Sequence, residues 1–194
     1  MKVAIVKYNA GNVESVKNAL NRLGVEPILT DDAGELETAD KVIFPGVGEA
    51  STAMNYLRER KLDETIKRLR QPVLGVCLGM QLLCEFSEEN NTKCLGILPY
   101  RVRRFEFEDL KIPQIGWNNI CDLKSELFNN IEEGAFVYFV HSFYVETGAE
   151  TIAACAYGLN FSAAVRHKNF YAVQFHAEKS GTVGVQILEN FLKL

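Results

Sequence analysis

The first 85 residues alternate short apolar runs with stretches of helical periodicity, and that alternation admits few folds. Val3–Val6, residues 27–29, Lys41–Phe44 and residues 72–76 each read as a strand. Between the first two, Val13, Val16, Ala19, Leu20 and Leu23 recur at helical spacing, with Gly24 as a stop. A second amphipathic helix is expected after Gly48, running to about Leu69, and a third after Cys77. Short units of this kind need right-handed crossovers and a parallel sheet with helices on both faces.

The second half reads differently. Residues 97–107, 135–145, 151–156 and 162–175 look like strands with few helices between them, and a helix closes the chain from about Gly181 to Leu194. An antiparallel extension of a mixed, mostly parallel main sheet, or a smaller antiparallel sheet beside it, is therefore expected. No linker, repeat or low-complexity tract divides the chain. The expectation is one α/β, flavodoxin-like domain over residues 1–194, long enough for a sizeable core.

Charge and cysteine usage narrow the function classes. A net charge of −4 argues against a nucleic-acid partner held by bulk electrostatics. No run approaches the ~18–20 apolar residues of a membrane span, and residues 1–7 are too short for a signal peptide. A cytoplasmic protein without membrane partners is expected. Cys77, Cys84, Cys94, Cys121 and Cys155 form no CxxC pair, so reduced thiols are expected rather than a metal site. No P-loop motif is present, and no cofactor is expected.

The chemistry concentrates in two segments. Gly75-Val76-Cys77-Leu78-Gly79-Met80-Gln81 sits where a buried strand meets a helix. A cysteine on that turn projects above the carboxyl end of the sheet, with glycines on either side allowing close packing, as in a nucleophile elbow. The helix N-terminus favours the thiolate, and the Leu78 N–H is placed to stabilise an oxyanion. The second segment, Gln174-Phe175-His176-Ala177-Glu178, reads as a strand ending in His-x-Glu. Side chains at i and i+2 share a face of a strand, so His176 could take the thiol proton while Glu178 orients the imidazole.

Together with Lys179-Ser180 after the second segment, these residues resemble the class I, triad-type glutamine amidotransferases. Within that family the chain is similar to the glutaminase subunits of imidazole glycerol phosphate synthases. The likeness runs along nearly the whole chain. It includes Tyr8-Asn9-Ala10-Gly11-Asn12, Phe44-Pro45-Gly46-Val47-Gly48, Cys94-Leu95-Gly96-Ile97, Gly116-Trp117-Asn118 and Phe139-Val140-His141-Ser142-Phe143-Tyr144.

The resemblance implies a triad of Cys77, His176 and Glu178 that hydrolyses glutamine through a thioester. It implies an oxyanion hole from the backbone of Val47 and Leu78, and a glutamine pocket bordered by Gly48, Leu78, Gln81, His141, Ser142 and Phe143. It implies a partner, a cyclase subunit with a (β/α)8 barrel that receives ammonia through a tunnel, with Trp117, Tyr138 and Lys179 in segments near that interface. His167 reads as a turn residue. Two positions depart from the family pattern: Ala177 stands where proline is usual, and Lys7 where an acidic residue is common. Other readings are the same chemistry feeding a modified-sugar or pyridoxal phosphate synthase, and a non-catalytic binding module on this fold.

Overall fold

The computed structural model describes residues 1–9 and 11–194, so Ala10 of the 8–12 motif lies outside the described residues. The expected alternation is present: β1 (Val3–Val6), α1 (Val13–Arg22), β2 (Ile28–Thr30), α2 (Ala33–Glu37), β3 (Lys41–Phe44), α3 (Ala50–Glu59), α4 (Leu62–Arg68), β4 (Val73–Val76) and α5 (Leu78–Leu83). There follow β5 (Phe86–Ser87), β6 (Thr92–Lys93), β7 (Arg101–Arg104), β8 (Gln114–Asn119), β9 (Phe136–His141) and β10 (Phe143–Val145). The chain closes with β11 (Thr151–Tyr157), β12 (Leu159–His167), β13 (Phe170–Val173) and α6 (Gly181–Lys193).

The main sheet has seven strands in the order β11-β12-β13-β4-β3-β1-β2. The run from β13 to β2 is parallel throughout, and β12 and β11 add antiparallel pairs at one side. The order reverses between β1 and β3, the switch point at which open α/β sheets place their sites, outside the carboxyl ends of the strands. Every residue of β1, β3, β4 and β13 is buried. Alternate residues feed two cores, Val3, Ile5, Ile43, Leu74 and Val173 one side, Ala4, Val6, Val42, Phe44, Val73 and Ala172 the other.

Three expectations about the elements need correction. The helix expected to run to about Leu69 is two helices. α3 buries Ala50, Ala53, Met54 and Leu57, and continuing its stripe would bring Arg60 and Lys61 inward. The next apolar residues, Leu62 and Ile66, are out of phase by one, and Lys61 at φ 57° resets the register. The single small antiparallel sheet is two sheets: β10-β7-β5-β6, in which β5 and β7 run parallel, and the antiparallel pair β8-β9. The long strands at 135–145 and 162–175 are each interrupted; β11 and β12 form the expected antiparallel extension of the main sheet.

A very close approach in the fold lies where α5 crosses the end of β3. A β-carbon on Gly79 would overlap the carbonyl oxygen of Phe44, and one on Gly75 would lie 2.8 Å from Leu83 Cδ1 and 3.0 Å from the Met80 nitrogen. Gly79→Ala must push the helix off the strand. A loss on the order of 3 kcal/mol in urea unfolding is expected, the range of backbone overpacking in a core. Unchanged stability would show that this contact does not set the elbow.

Candidate active site

The carboxyl ends of β1, β3, β4 and β13 open at one edge of the sheet, and the segments that leave them meet there. Cys77 follows β4 directly. Its backbone, at φ 52° and ψ −108°, is a conformation side-chain-bearing residues rarely adopt. It is held there from both sides: the Cys77 N–H donates to the Val173 carbonyl at 2.8 Å, and its carbonyl accepts from the Gln81 N–H at 3.2 Å. Cys77 Sγ lies 3.7 Å from the Val140 carbonyl and 3.6 Å from Gln174 Nε2.

His176 and Glu178 lie beyond the end of β13, and their route together differs from the expected one. The strand stops at Val173, and residues 177–179 form a 3-10 turn. Turn geometry, not strand alternation, brings the side chains together, with His176 Nδ1 2.7 Å from Glu178 Oε1 and both side chains almost wholly buried. The turn is anchored to β9. The His176 N–H donates to the Tyr138 carbonyl at 2.9 Å. Ser180 Oγ donates to the His176 carbonyl at 2.6 Å and accepts the Tyr138 N–H at 2.9 Å. Hydrogen bonds thus fix the turn that begins at Ala177, where the family commonly has a proline ring. Asn12, at the N-terminus of α1, also donates to Glu178 Oε1, whereas Oε2 is buried without a partner among the described residues.

The electrostatics separate the two histidines of the site. Burial opposes a charge on His176, but its bonds to Cys77 and Glu178 outweigh it and push the imidazole up to about 10. Burial pushes His141 down to about 4, aided by the nearby His176 charge against the pull of the Phe143 carbonyl. His141 Nδ1 lies 2.7 Å from that carbonyl, which can only accept, so the neutral ring carries its proton on Nδ1.

A cavity of about 270 Å³ adjoins Cys77. Val47, Gly48, Leu78, Gln81, His141, Ser142 and Phe143 line it, all residues expected at the site, together with Glu89, Pro113 and Val140. Gln81 is buried: its Nε2 donates to the Phe143 carbonyl at 3.1 Å and to Gln174 Oε1 at 3.0 Å. Glu89 was not legible, because it sits after β5 in a polar turn with no periodicity. Among the described residues it is the only acid lining the cavity, and its Oε2 accepts the Ala50 N–H at 2.7 Å. Burial pushes its carboxyl up, against that bond.

The 45–48 loop qualifies one expectation. Tyr8 Oη donates to the Pro45 carbonyl, the Leu78 N–H to the Gly46 carbonyl at 3.3 Å, and the Gly11 N–H to the Val47 carbonyl at 3.2 Å. The Leu78 N–H is therefore already occupied, by a carbonyl lying over the start of α5. Lys7 is on the exterior, 3.9 Å from Asp31, and His167 pairs with Glu150 at 3.0 Å, both apart from the cavity. Trp117 and Ile115 are more than half exposed on β8, as is Phe136 on β9. Among the described residues no helix is long and apolar enough to cross a membrane.

Known proteins resemble the chain along nearly its whole length. The sequence model of the family "Glutamine amidotransferase class-I" matches residues 4–194. An imidazole glycerol phosphate synthase subunit HisH from Bacteroides fragilis is 57% identical over 196 residues, covering all of both chains. Its counterpart from Haemophilus influenzae is 45% identical over 194 residues, covering all of this chain and 98% of the other. Among solved structures, a glutamine amidotransferase superposes with TM-score 0.76 at 22% identity, covering 98% of this chain and 97% of the other. PurLQS from Thermotoga maritima superposes at 0.71 with 17% identity, covering 99% and 97%. These two likenesses concern the fold; the family match and the full-length identities go further, and the chain belongs to the class I glutamine amidotransferases.

Proposed function

We propose that Cys77, His176 and Glu178 carry out the glutaminase reaction of an imidazole glycerol phosphate synthase, of which this chain is the ammonia-producing subunit in histidine biosynthesis. The observation that carries the residue roles is the convergence of a strained elbow cysteine with a buried His–Glu pair beside an amino-acid-sized cavity. The full-length relatives carry the choice of pathway, and a modified-sugar or pyridoxal phosphate acceptor is not favoured.

In this mechanism glutamine enters with its side-chain amide at Cys77 and its ammonium at Glu89, the one carboxylate of the cavity. Sulfur attacks the amide carbon, and the C–N bond breaks as His176 passes its proton to nitrogen, releasing ammonia and leaving a γ-glutamyl thioester. His176 then takes a proton from water, whose oxygen attacks the thioester; the C–S bond breaks and glutamate leaves. Glu178 holds the imidazole through Nδ1. His141, neutral and bonded to the Phe143 carbonyl, is wall rather than base.

The oxyanion hole is closed at rest, because the Gly46 carbonyl takes the Leu78 N–H. Rotating the Gly46–Val47 peptide breaks that one bond, frees the Leu78 N–H and turns the Val47 N–H inward. Gly48, at φ 134°, gives the loop room to do so. Released ammonia must reach an acceptor before water protonates it. We assign that acceptor to a barrel-shaped cyclase subunit docked over this edge, acting on a phosphoribulosyl aminoimidazole-carboxamide nucleotide in the cytoplasm.

Glutamate release by the chain alone is expected to be slow and to rise strongly when a cyclase subunit and its nucleotide ligand are added. Cys77→Ala should lower the stimulated rate by at least about a thousandfold. Glu89→Gln should raise KM about tenfold with kcat little changed, as expected for a lost charge-assisted contact. Glutamate release that survives Cys77→Ala would sink the mechanism, and indifference to the cyclase would sink the choice of acceptor.

The His141 environment makes a separate prediction about stability. Its folded pKa of about 4 lies below the ordinary value near 6.5, so below pH 6.5 the unfolded chain binds a proton that the folded one refuses. Stability is complete above about pH 6.5 and falls as pH drops toward 4, by at most about 3 kcal/mol. His141→Gln should flatten that slope in urea titrations across the window. An equal slope in both proteins would place the charge elsewhere.

A further inference from the structure

Gln174 has no part in the triad, yet its fully buried side chain reaches the sulfur. Its orientation is fixed from a distance. The Phe143 carbonyl can only accept, so the Gln81 side-chain atom bonded to it at 3.1 Å must be the amide nitrogen. That nitrogen has a second hydrogen, directed at Gln174 at 3.0 Å, so the atom of Gln174 facing it must be the oxygen. The remaining end of the Gln174 amide, the NH2, is then the end that lies 3.6 Å from Cys77 Sγ. A backbone carbonyl thus sets the polarity of two successive amides, and the chain terminates in an N–H on sulfur.

We propose that Gln174 is a positioning residue for the nucleophile: the relay Phe143–Gln81–Gln174 directs an N–H at Cys77 Sγ, aims the sulfur and stabilises it as the thiolate. The neutral thiol has another partner, the Val140 carbonyl at 3.7 Å, which can accept S–H but offers the thiolate nothing. On ionisation the proton leaves for His176 and the Gln174 N–H remains, so this bond favours the charged form. Gln81 has two tasks in this arrangement, lining the cavity with its side chain and holding the polarity of the amide behind the sulfur. The inference deepens the glutaminase reading and rests on Cys77 being its nucleophile.

The test is the pH dependence of Cys77 alkylation by iodoacetamide in the isolated full chain, read at the Cys77 peptide by mass spectrometry so that the other four cysteines do not contribute. The titratable groups around the sulfur are Tyr8 after β1, Glu89 after β5, His141 at the end of β9, and His176 with Glu178 after β13. All are retained in the variants. Gln174→Met keeps length and bulk but removes the donor. Its alkylation midpoint should rise by about one pH unit, the roughly tenfold effect of one hydrogen bond to a charged group. With the cyclase present, kcat should fall about tenfold at little-changed KM.

Gln81→Met removes the group that fixes the Gln174 amide, and its midpoint should rise in the same direction by less. Circular dichroism establishes that each variant is folded, and if Gln174→Met is not, Gln81→Met decides. A side chain that merely fills space would leave both midpoints in place, and an unmoved midpoint in either folded variant overturns the relay. Alkylation needs no glutamine and no partner. Failure of the glutaminase reading would therefore appear as absent glutamate release by the wild-type complex, a different result from an unmoved midpoint.

Discussion

The geometry of this site depends on one close approach, the backbone of α5 at Gly79 against the carbonyl of Phe44 at the end of β3. It sets the height of the elbow over the sheet, and with it the distance from Leu78 to the 45–48 loop. The strain at Cys77 is tolerable because β4 lies between β3 and β13, parallel to both, and is buried on each face. A positive φ at a residue with a side chain costs of order 1–3 kcal/mol and persists only where the surroundings over-determine it. The Cys77 N–H donating to the Val173 carbonyl on one side, and the Cys77 carbonyl accepting the Gln81 N–H on the other, do that here.

The charged part of the site is arranged against stability. Glu178 sits almost wholly out of water with two donors, His176 and Asn12, converging on one oxygen, while the other oxygen has no partner among the described residues. A buried carboxylate oxygen left unbonded costs free energy that an apolar side chain would not. What the carboxylate gains is its hold on His176, whose pKa Cys77 first and Glu178 second push up to about 10 against its burial. An imidazolium beside sulfur is a poor way to stabilise a core and a good way to keep a proton available for a leaving nitrogen.

Much of this was legible before any coordinates. The three buried runs that became β1, β3 and β4, the elbow and the His-x-Glu segment are local patterns whose meaning survives folding, because strand burial and the strand-to-helix turn are written in adjacent residues; the run that became β2 leaves Ile28 and Leu29 exposed. The parallel pairing of the sheet followed from the alternation of strand and helix. What escaped were features that depend on residues meeting from separate elements. Glu89 looks like any turn acid until β5 carries it to the cavity. Gln174 looks like a core polar residue until Gln81 and Phe143 fix its amide. The His–Glu pair was found for an incomplete reason: spacing of two suggested a strand, and the chain makes the same pairing with a 3-10 turn fixed by Ser180. The division between α3 and α4 was written in the sequence as a one-residue phase slip, which a count of apolar positions across Arg60 and Lys61 would have exposed.

In the proposed mechanism the closed oxyanion hole and the triad are both hydrogen-bonded to the segment after β1. Three successive carbonyls of the 45–48 loop are bonded, and the first and third are held by Tyr8 and Gly11, whereas the middle one is held only by Leu78. Opening the hole as proposed costs a single 3.3 Å backbone bond, about 1 kcal/mol net, while the two flanking anchors stay. Those anchors belong to the same short segment whose Asn12 bonds the carboxylate of Glu178. In the proposed mechanism a subunit pressing on Tyr8, Gly11 and Asn12 would therefore act on the oxyanion loop and on Glu178 at once. Both proposed controls would then answer to one docking event, which suits an enzyme whose ammonia is useful only when an acceptor is in place.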